Sequence, residues 1–409
     1  MQMNSDFFFI NSCMNQKKAV PLQRNYHNYN NCMNNNSINP FVIGKYLSDE
    51  YFCVREQETE FLKKQILNGR NVTLIADRRI GKSGLISHVF AQPEMQKQFY
   101  TIIVDLYATG SLTEMVYAFS KEVYRSVKQQ SQSWQDKFFQ VISSLRVGFK
   151  LDPVSGSPAF DIGFGDITAP EMTLEQVFAF LETSDKPCIV AFDEFQQITN
   201  YPEKNIEALL RTHIQRCKKT QFIFSGSRKH MMSQMFLSPS KPFYQSTINM
   251  GLEPIPRETY IDFAKRMFLL GDKQIANEAV EQVYDICRGI TWYMQMLLNE
   301  MFALTKTGEE CKADILAEAL NNVVQVQEPF YREILAALPI KQKTLLYALV
   351  KENGAENITS SAFVQKHKLI SSSSVQSAMK GLCEKDIVIE SDGIWRIYDV
   401  FLSQYLLNK

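Results

Sequence analysis

The pattern of apolar and polar positions over residues 55–69 predicts an amphipathic helix, with Glu58, Phe61, Leu62, Gln65 and Ile66 marking its turns before Gly69 stops the run. The unbroken apolar stretch VTLIA (72–76) predicts a buried strand, and GLISHVF (84–90) returns to helical spacing. A second strand is expected at 99–108 (FYTIIVDLYA). The next helix, 111–129, places Leu112, Met115, Val116, Phe119 and Val123 on one face. Helix 173–184, strand 187–192, helix 203–218 and strand 221–226 continue the alternation. Strands and helices alternating at these lengths imply a mainly parallel sheet covered on both faces, an α/β three-layer sandwich with its working loops at the carboxyl edge.

Beyond residue 256 the strand pattern stops. Helices are expected at 258–270, 277–287 and 291–304, with further ones near 312–323 and 328–338. The last segment predicts helices at 341–354, 360–369 and 372–386, then strands 387–390 and 394–400 around the turn Ser-Asp-Gly. Three helices and a hairpin form a winged helix-turn-helix pattern. The expected division is a core at 41–256 with a variable insertion at 131–170, a helical lid at 257–338, and a winged helix at 339–409. Eleven of the first 40 residues are asparagine, and a segment this polar cannot bury enough surface to offset its ordering, so 1–40 is expected to be a disordered tail.

Charge changes this picture little. Lys plus Arg and Asp plus Glu number 44 each in a chain of 409 residues, so no global field favours nucleic acid or an anionic membrane. Eight cysteines form no CxxC and no regular framework, which fits a reducing compartment. No apolar run reaches the length of a membrane span. A soluble cytoplasmic protein is the expectation.

The chemistry concentrates between strand 72–76 and the helix after it. The nucleotide loop GxxxxGK[ST] follows a strand and opens a helix. Here Ala76-Asp77-Arg78-Arg79-Ile80-Gly81-Lys82-Ser83, followed by Gly84, matches the last three positions but carries alanine at the first. Helix-start N–H groups can hold phosphate oxygens, Lys82 can reach the β and γ phosphates, and Ser83 can join a magnesium shell. Arg78 and Arg79 add charge, although either could simply lie on a solvated turn. A second element supports the first. The apolar strand CIVAF ends in Asp193-Glu194, where Asp193 can hold Mg2+ through a water and Glu194 can activate the attacking water. Strand 221–226 ends near Ser225 and Ser227, which could meet the γ-phosphate or merely end the strand. Arg211, Arg216 and Arg228 are candidates for transition-state charge. His88 is more simply a packing residue, and His213 and His230 lack companions at zinc-ligand spacing.

With these residues assembled, the chain resembles the archaeal-type ATPase family, an AAA-like branch of P-loop proteins related to the STAND class. The matching pieces are FCVREQETEFL (52–62), RRIGKSGLI (78–86), CIVAFDEFQ (188–196), FIFSGSRKHMM (222–232) and CRGITWYMQ (287–295). Members carry Gly-Pro-Arg-Arg at the loop start, which implies that Arg78 and Arg79 belong to the loop proper. The resemblance also implies that Phe52, Arg55 and Glu56 lie near the nucleotide base or the first helix. Where the family lid has Gly-x-Pro, this chain has Gly289-Ile290-Thr291.

What the resemblance implies is a molecular switch binding ATP or ADP with Mg2+, hydrolysing slowly, whose nucleotide state repositions the winged helix toward a partner. Residues 355–409 hold six basic and six acidic side chains, a weak basis for duplex binding. Ser371–Ser374, Gln376, Ser377 and Lys380 offer a thin polar footprint. A protein partner or self-association through lid and winged helix is therefore preferred over DNA. A DNA-dependent remodeller and a hydrolytically inactive scaffold are the alternatives.

Overall fold

A computed structural model describes residues 39–409, apart from 45, 54, 129–136, 139–140, 142–149, 152–157, 160–166 and 392. The expected tail up to residue 38 and most of the expected insertion lie outside the described residues. Asn39, inside the expected tail, and Phe41, just after it, are anchored. Asn39 Nδ2 donates to the Asn299 carbonyl at 2.8 Å, Asn299 Nδ2 donates to the Phe41 carbonyl at 2.8 Å, and the Phe41 ring is fully buried.

Five parallel strands form the central sheet: β1 (Val72–Ile75), β2 (Tyr100–Asp105), β3 (Cys188–Asp193), β4 (Thr220–Gly226) and β5 (Ile248–Gly251). Their spatial order is β2-β3-β4-β1-β5. Side chains alternate between faces at period two. Val190, Phe192, Phe222 and Phe224 therefore enter one core, while Ile189, Ala191 and Ile223 enter the other with Leu74. The first core is largely aromatic: Phe192 sits edge-on to Phe119 at 5.1 Å between ring centres. Strand β5 was not expected, because Ile-Asn-Met-Gly has neither an apolar run nor a clean alternation. It forms as an edge strand on β1, where one paired side suffices.

The core helices are α1 (Glu56–Leu67), α2 (Lys82–Ala91), α3 (Pro93–Gln98), α4 (Leu112–Lys128), α5 (Pro170–Glu182), α6 (Ile206–Arg216) and α7 (Lys229–Leu237). The lid comprises α8 (Arg257–Leu269), α9 (Asn277–Cys287), α10 (Thr291–Leu304) and α11 (Asp314–Ala337). Two helices were expected where α11 runs unbroken through Pro329. Proline removes one donor, and a side-chain bond spans its position. Tyr331 Oη donates to Gln327 Oε1 at 2.7 Å and reaches Asp399 Oδ1 at 3.2 Å.

The C-terminal segment contains α12 (Ile340–Lys351), α13 (Ser361–Lys366), α14 (Ser372–Glu384), the antiparallel hairpin β6 (Val388–Ser391) and β7 (Ile394–Ile397), and α15 (Val400–Leu407). Ser360 and Ser371 cap α13 and α14 as their sequence positions suggest. The terminal helix α15 was missed, since VFLSQYLL is apolar nearly all round and shows no face. Asp399 starts it by accepting from Phe401 N and Leu402 N. Among the described residues no helix is long and apolar enough to cross a membrane.

Phe192 is fully buried at the centre of the aromatic core. Phe192→Ala is expected to cost about 3–5 kcal/mol, measured as a fall in the midpoint of thermal unfolding; a loss below about 1 kcal/mol would contradict this packing.

Candidate phosphate-binding site

Parallel pairing brings the carboxyl ends of β1, β3 and β4 to one edge. Ile75 lies level with Gly226, and Asp105 level with Asp193. Ala76 leaves β1 with its N–H donating to the Gly226 carbonyl at 3.4 Å. It is fully buried and is not among the residues with positive φ. Glycine's freedom is therefore not required at the first loop position, and alanine fits. It is required at Gly81, whose φ is 106° and which caps α2.

The loop is braced from outside. Arg79 adopts a left-handed φ of 65°, and its carbonyl accepts from Trp292 N at 3.0 Å. The Ile80 carbonyl accepts from Thr291 Oγ1 and from the buried Arg55 guanidinium, both at 3.1 Å. A trans peptide directs its N–H opposite its C=O. Turning these two carbonyls outward therefore aims the following N–H groups, those of Ile80 and Gly81, toward the concave side. With the first-turn N–H groups of α2, which a helix leaves without intrahelical partners, they can form an anion cradle.

Lys82 lies inside this turn, 5% exposed, with Nζ donating to the Ala76 carbonyl at 3.0 Å and the Asp77 carbonyl at 2.8 Å. Desolvation lowers its pKa, against the opposing pull of the Glu194, Asp193 and Asp77 charges. Ser83 Oγ donates to Asp193 Oδ2. Among the described residues no three His, Cys, Asp or Glu side chains converge on a metal position. One carboxylate and one hydroxyl do converge, the sparse oxygen set that suits magnesium, which keeps waters and substrate phosphates as its remaining ligands. Glu194 follows in a left-handed conformation, φ 52°. Its Oε2 accepts from Ser227 Oγ at 2.6 Å and from Gln196 Nε2.

The remaining expected residues divide. Ser227 reaches Glu194, whereas Ser225 is fully buried and its hydroxyl has no hydrogen-bond partner among the described residues. Arg211 donates to Gln215 on its own helix, and no described hydrogen bond joins it to the loop. Arg228 lies close by, bonded to Asp386. Arg55 holds the loop through its backbone. Asp77 pairs with Lys229 at 2.9 Å, and a Cβ placed on Gly84 would meet Phe52 at 3.8 Å. Asp105 was not singled out from sequence, although it too ends an apolar strand. Its pKa is raised, first by desolvation and then by the Asp193 and Glu194 charges.

Arg79 turns away from the cradle. Its guanidinium lies 4.3 Å from the Trp292 ring centre, donates to Tyr293 Oη at 2.5 Å, and lies 3.7 Å from Asp399. It is a strut between loop, lid and winged helix. Arg79→Ala is expected to expose Trp292 and shift tryptophan emission to longer wavelength without nucleotide; an unchanged spectrum would count against the strut.

Residues 329–408 match the family described as "Probable winged helix domain". That match begins inside α11. No curated protein matches the chain. Among solved structures, the Walker-type ATPase PABY2304 of Pyrococcus abyssi is similar at 17% identity, over 90% of this chain and 99% of that one, with a TM-score of 0.62. The ORC2 protein of Aeropyrum pernix, solved as ADPNP–ADP complexes, is similar at 14% identity over 91% and 96% of the two chains, with a TM-score of 0.58. At these identities the likeness concerns the fold. The chain therefore has the three-layer P-loop ATPase fold, followed by a helical lid and a C-terminal winged helix.

Proposed function

We propose that the protein is an Mg2+-dependent ATP-binding switch with slow ATP hydrolysis, whose nucleotide state repositions the winged helix toward a partner. The observation that carries this reading is the convergence of Lys82, the Ser83–Asp193 pair and Glu194 on one sheet edge, beside an N–H cradle. The working division is a core over 41–256, a lid over 257–338 and a winged helix over 339–409, in a soluble cytoplasmic protein.

In this reading the backbone N–H groups of the loop and the ammonium of Lys82 hold the β and γ phosphates. Lys82 exchanges its two carbonyl acceptors for phosphate oxygens, which offer stronger charge-assisted bonds. Ser83 and Asp193 hold magnesium, which supplies charge neutralisation across those phosphates. Glu194 orients a water and takes its proton. Arg228 stands nearest to the site among the charge-compensating candidates. Arg79, bound to lid and winged helix alike, passes a change in loop shape to both.

A protein partner or a second copy fits the winged helix better than DNA. The outward face of α14 presents Ser372, Ser373, Gln376, Ser377 and one lysine, Lys380, and Lys366 is already paired with Glu352 at 2.7 Å. Few cations are left there to neutralise phosphates.

Lys82→Ala is expected to abolish ATP binding, and Glu194→Gln to keep binding while reducing turnover by at least about 100-fold. Calorimetric binding together with phosphate release tests both. Turnover surviving in both variants would refute the assignment.

A further inference from the structure

We infer that Asp386 of the winged helix is a positioning residue for Glu194 and holds that carboxylate in an idle orientation while the winged helix is docked. The inference rests on the proposed role of Glu194 as base and adds a mechanism of restraint to it.

Three contacts join in series. Asp386 Oδ2 pairs with Arg78 at 3.2 Å and with Arg228 at 2.8 Å. Arg78 Nε donates to Ser227 Oγ at 3.2 Å, and Ser227 Oγ donates to Glu194 Oε2 at 2.6 Å. The direction of the chain is fixed by chemistry. A guanidinium only donates, so the Ser227 oxygen is the acceptor there and its single proton is left for Glu194. Gln196 Nε2 donates to the same Oε2. Two donors thus tie the carboxylate through Oε2, which leaves Oε1 as the oxygen with open lone pairs and fixes the direction in which it faces. A base needs a free lone pair aimed at its water. Releasing Asp386 frees Arg78 to turn toward a γ-phosphate, and the hold of Ser227 on Glu194 loosens with it.

The backbone around Asp386 gives independent support. Helix α14 ends with Asp386 N donating to the Cys383 carbonyl at 2.9 Å and Ile387 N donating to the Leu382 carbonyl at 3.0 Å. This pair of bonds places a left-handed residue just after the helix, a position that favours glycine. Asp386 occupies it with φ 54°. The chain thus carries an aspartate at a position that favours glycine, and its carboxylate faces two arginines. Both ion pairs are partly exposed, with side-chain exposures of 30–38%. Exposed pairs of this kind are individually weak, so a competing anion can open the contact.

The test uses the full-length protein with ATP and Mg2+, measuring steady-state phosphate release and the thermal midpoint. Asp386→Asn and Asp386→Gly each remove the carboxylate charge, and glycine also relieves the backbone strain. Both are expected to raise turnover about fivefold, equivalent to about 1 kcal/mol, with the thermal midpoint unchanged or higher. Ser227→Ala is expected to raise turnover similarly, and Asp386→Asn combined with Ser227→Ala to run no faster than the faster single variant. Turnover at or below wild type in either Asp386 variant, or a double variant equal to the product of the singles, would overturn the inference. If wild type hydrolyses ATP, Lys82→Ala does not, and the Asp386 variants match wild type, the relay fails while the ATPase reading stands. If neither wild type nor the Asp386 variants hydrolyse ATP, both readings fail together.

Discussion

The site depends on the parallel pairing of β1, β3 and β4. Parallel ladders align strands by their direction, so the residues that leave the sheet do so on one side. Because Ile75 is level with Gly226 and Phe192 with Phe224, the chain emerges at Ala76, Asp193 and Ser227 within one small volume. Shifting one strand by a residue would turn its side chains to the opposite face. Ser83 would then lose Asp193, and Ser227 would lose Glu194. The aromatic core under β3 and β4 resists that shift, because Phe192, Phe222 and Phe224 fill one face and Ile189, Ala191 and Ile223 the other.

Two adjacent arginines on the loop serve opposite directions. Arg78 looks into the site, to Ser227, and across to Asp386. The left-handed turn at Arg79 sends its side chain outward to the lid. There it donates to Tyr293, lies 4.3 Å from the Trp292 ring centre and stands 3.7 Å from the Asp399 carboxylate. The lid answers through its backbone and a side chain, with Trp292 and Thr291 holding the Arg79 and Ile80 carbonyls. The shape of the loop is therefore set partly by residues more than two hundred positions away in the chain.

The winged helix completes the arrangement from the far end of the sequence. Its helix α15 packs against α11 and α12, and Asp399 both caps α15 and meets Tyr331 and Arg79. One carboxylate thus links the start of α15, Tyr331 of α11 and Arg79 of the 76–83 loop. The C-terminal end of α14 faces the α/β core, where Asp386 meets Arg78 and Arg228, while Ser372 and Ser373 at its N-terminal end are exposed to solvent.

Periodicity and punctuation alone determined the alternating core, the first three lid helices and the wing, since burying an apolar face needs only local spacing. Gly81-Lys82-Ser83 and Asp193-Glu194 were equally legible, because a strand exit followed by such residues leaves few other uses for them. Strand β5 and helix α15 were not, the first because an edge strand needs little apolar pattern, the second because an apolar helix shows no face. The fit of Ala76 turned on a backbone angle that composition does not encode. Only the tertiary structure separated Ser227 from Ser225, sent Arg79 to the lid and joined Arg78 to Asp386. Those outcomes depend on which strands are neighbours and where a distant domain docks, and residue spacing carries no record of either.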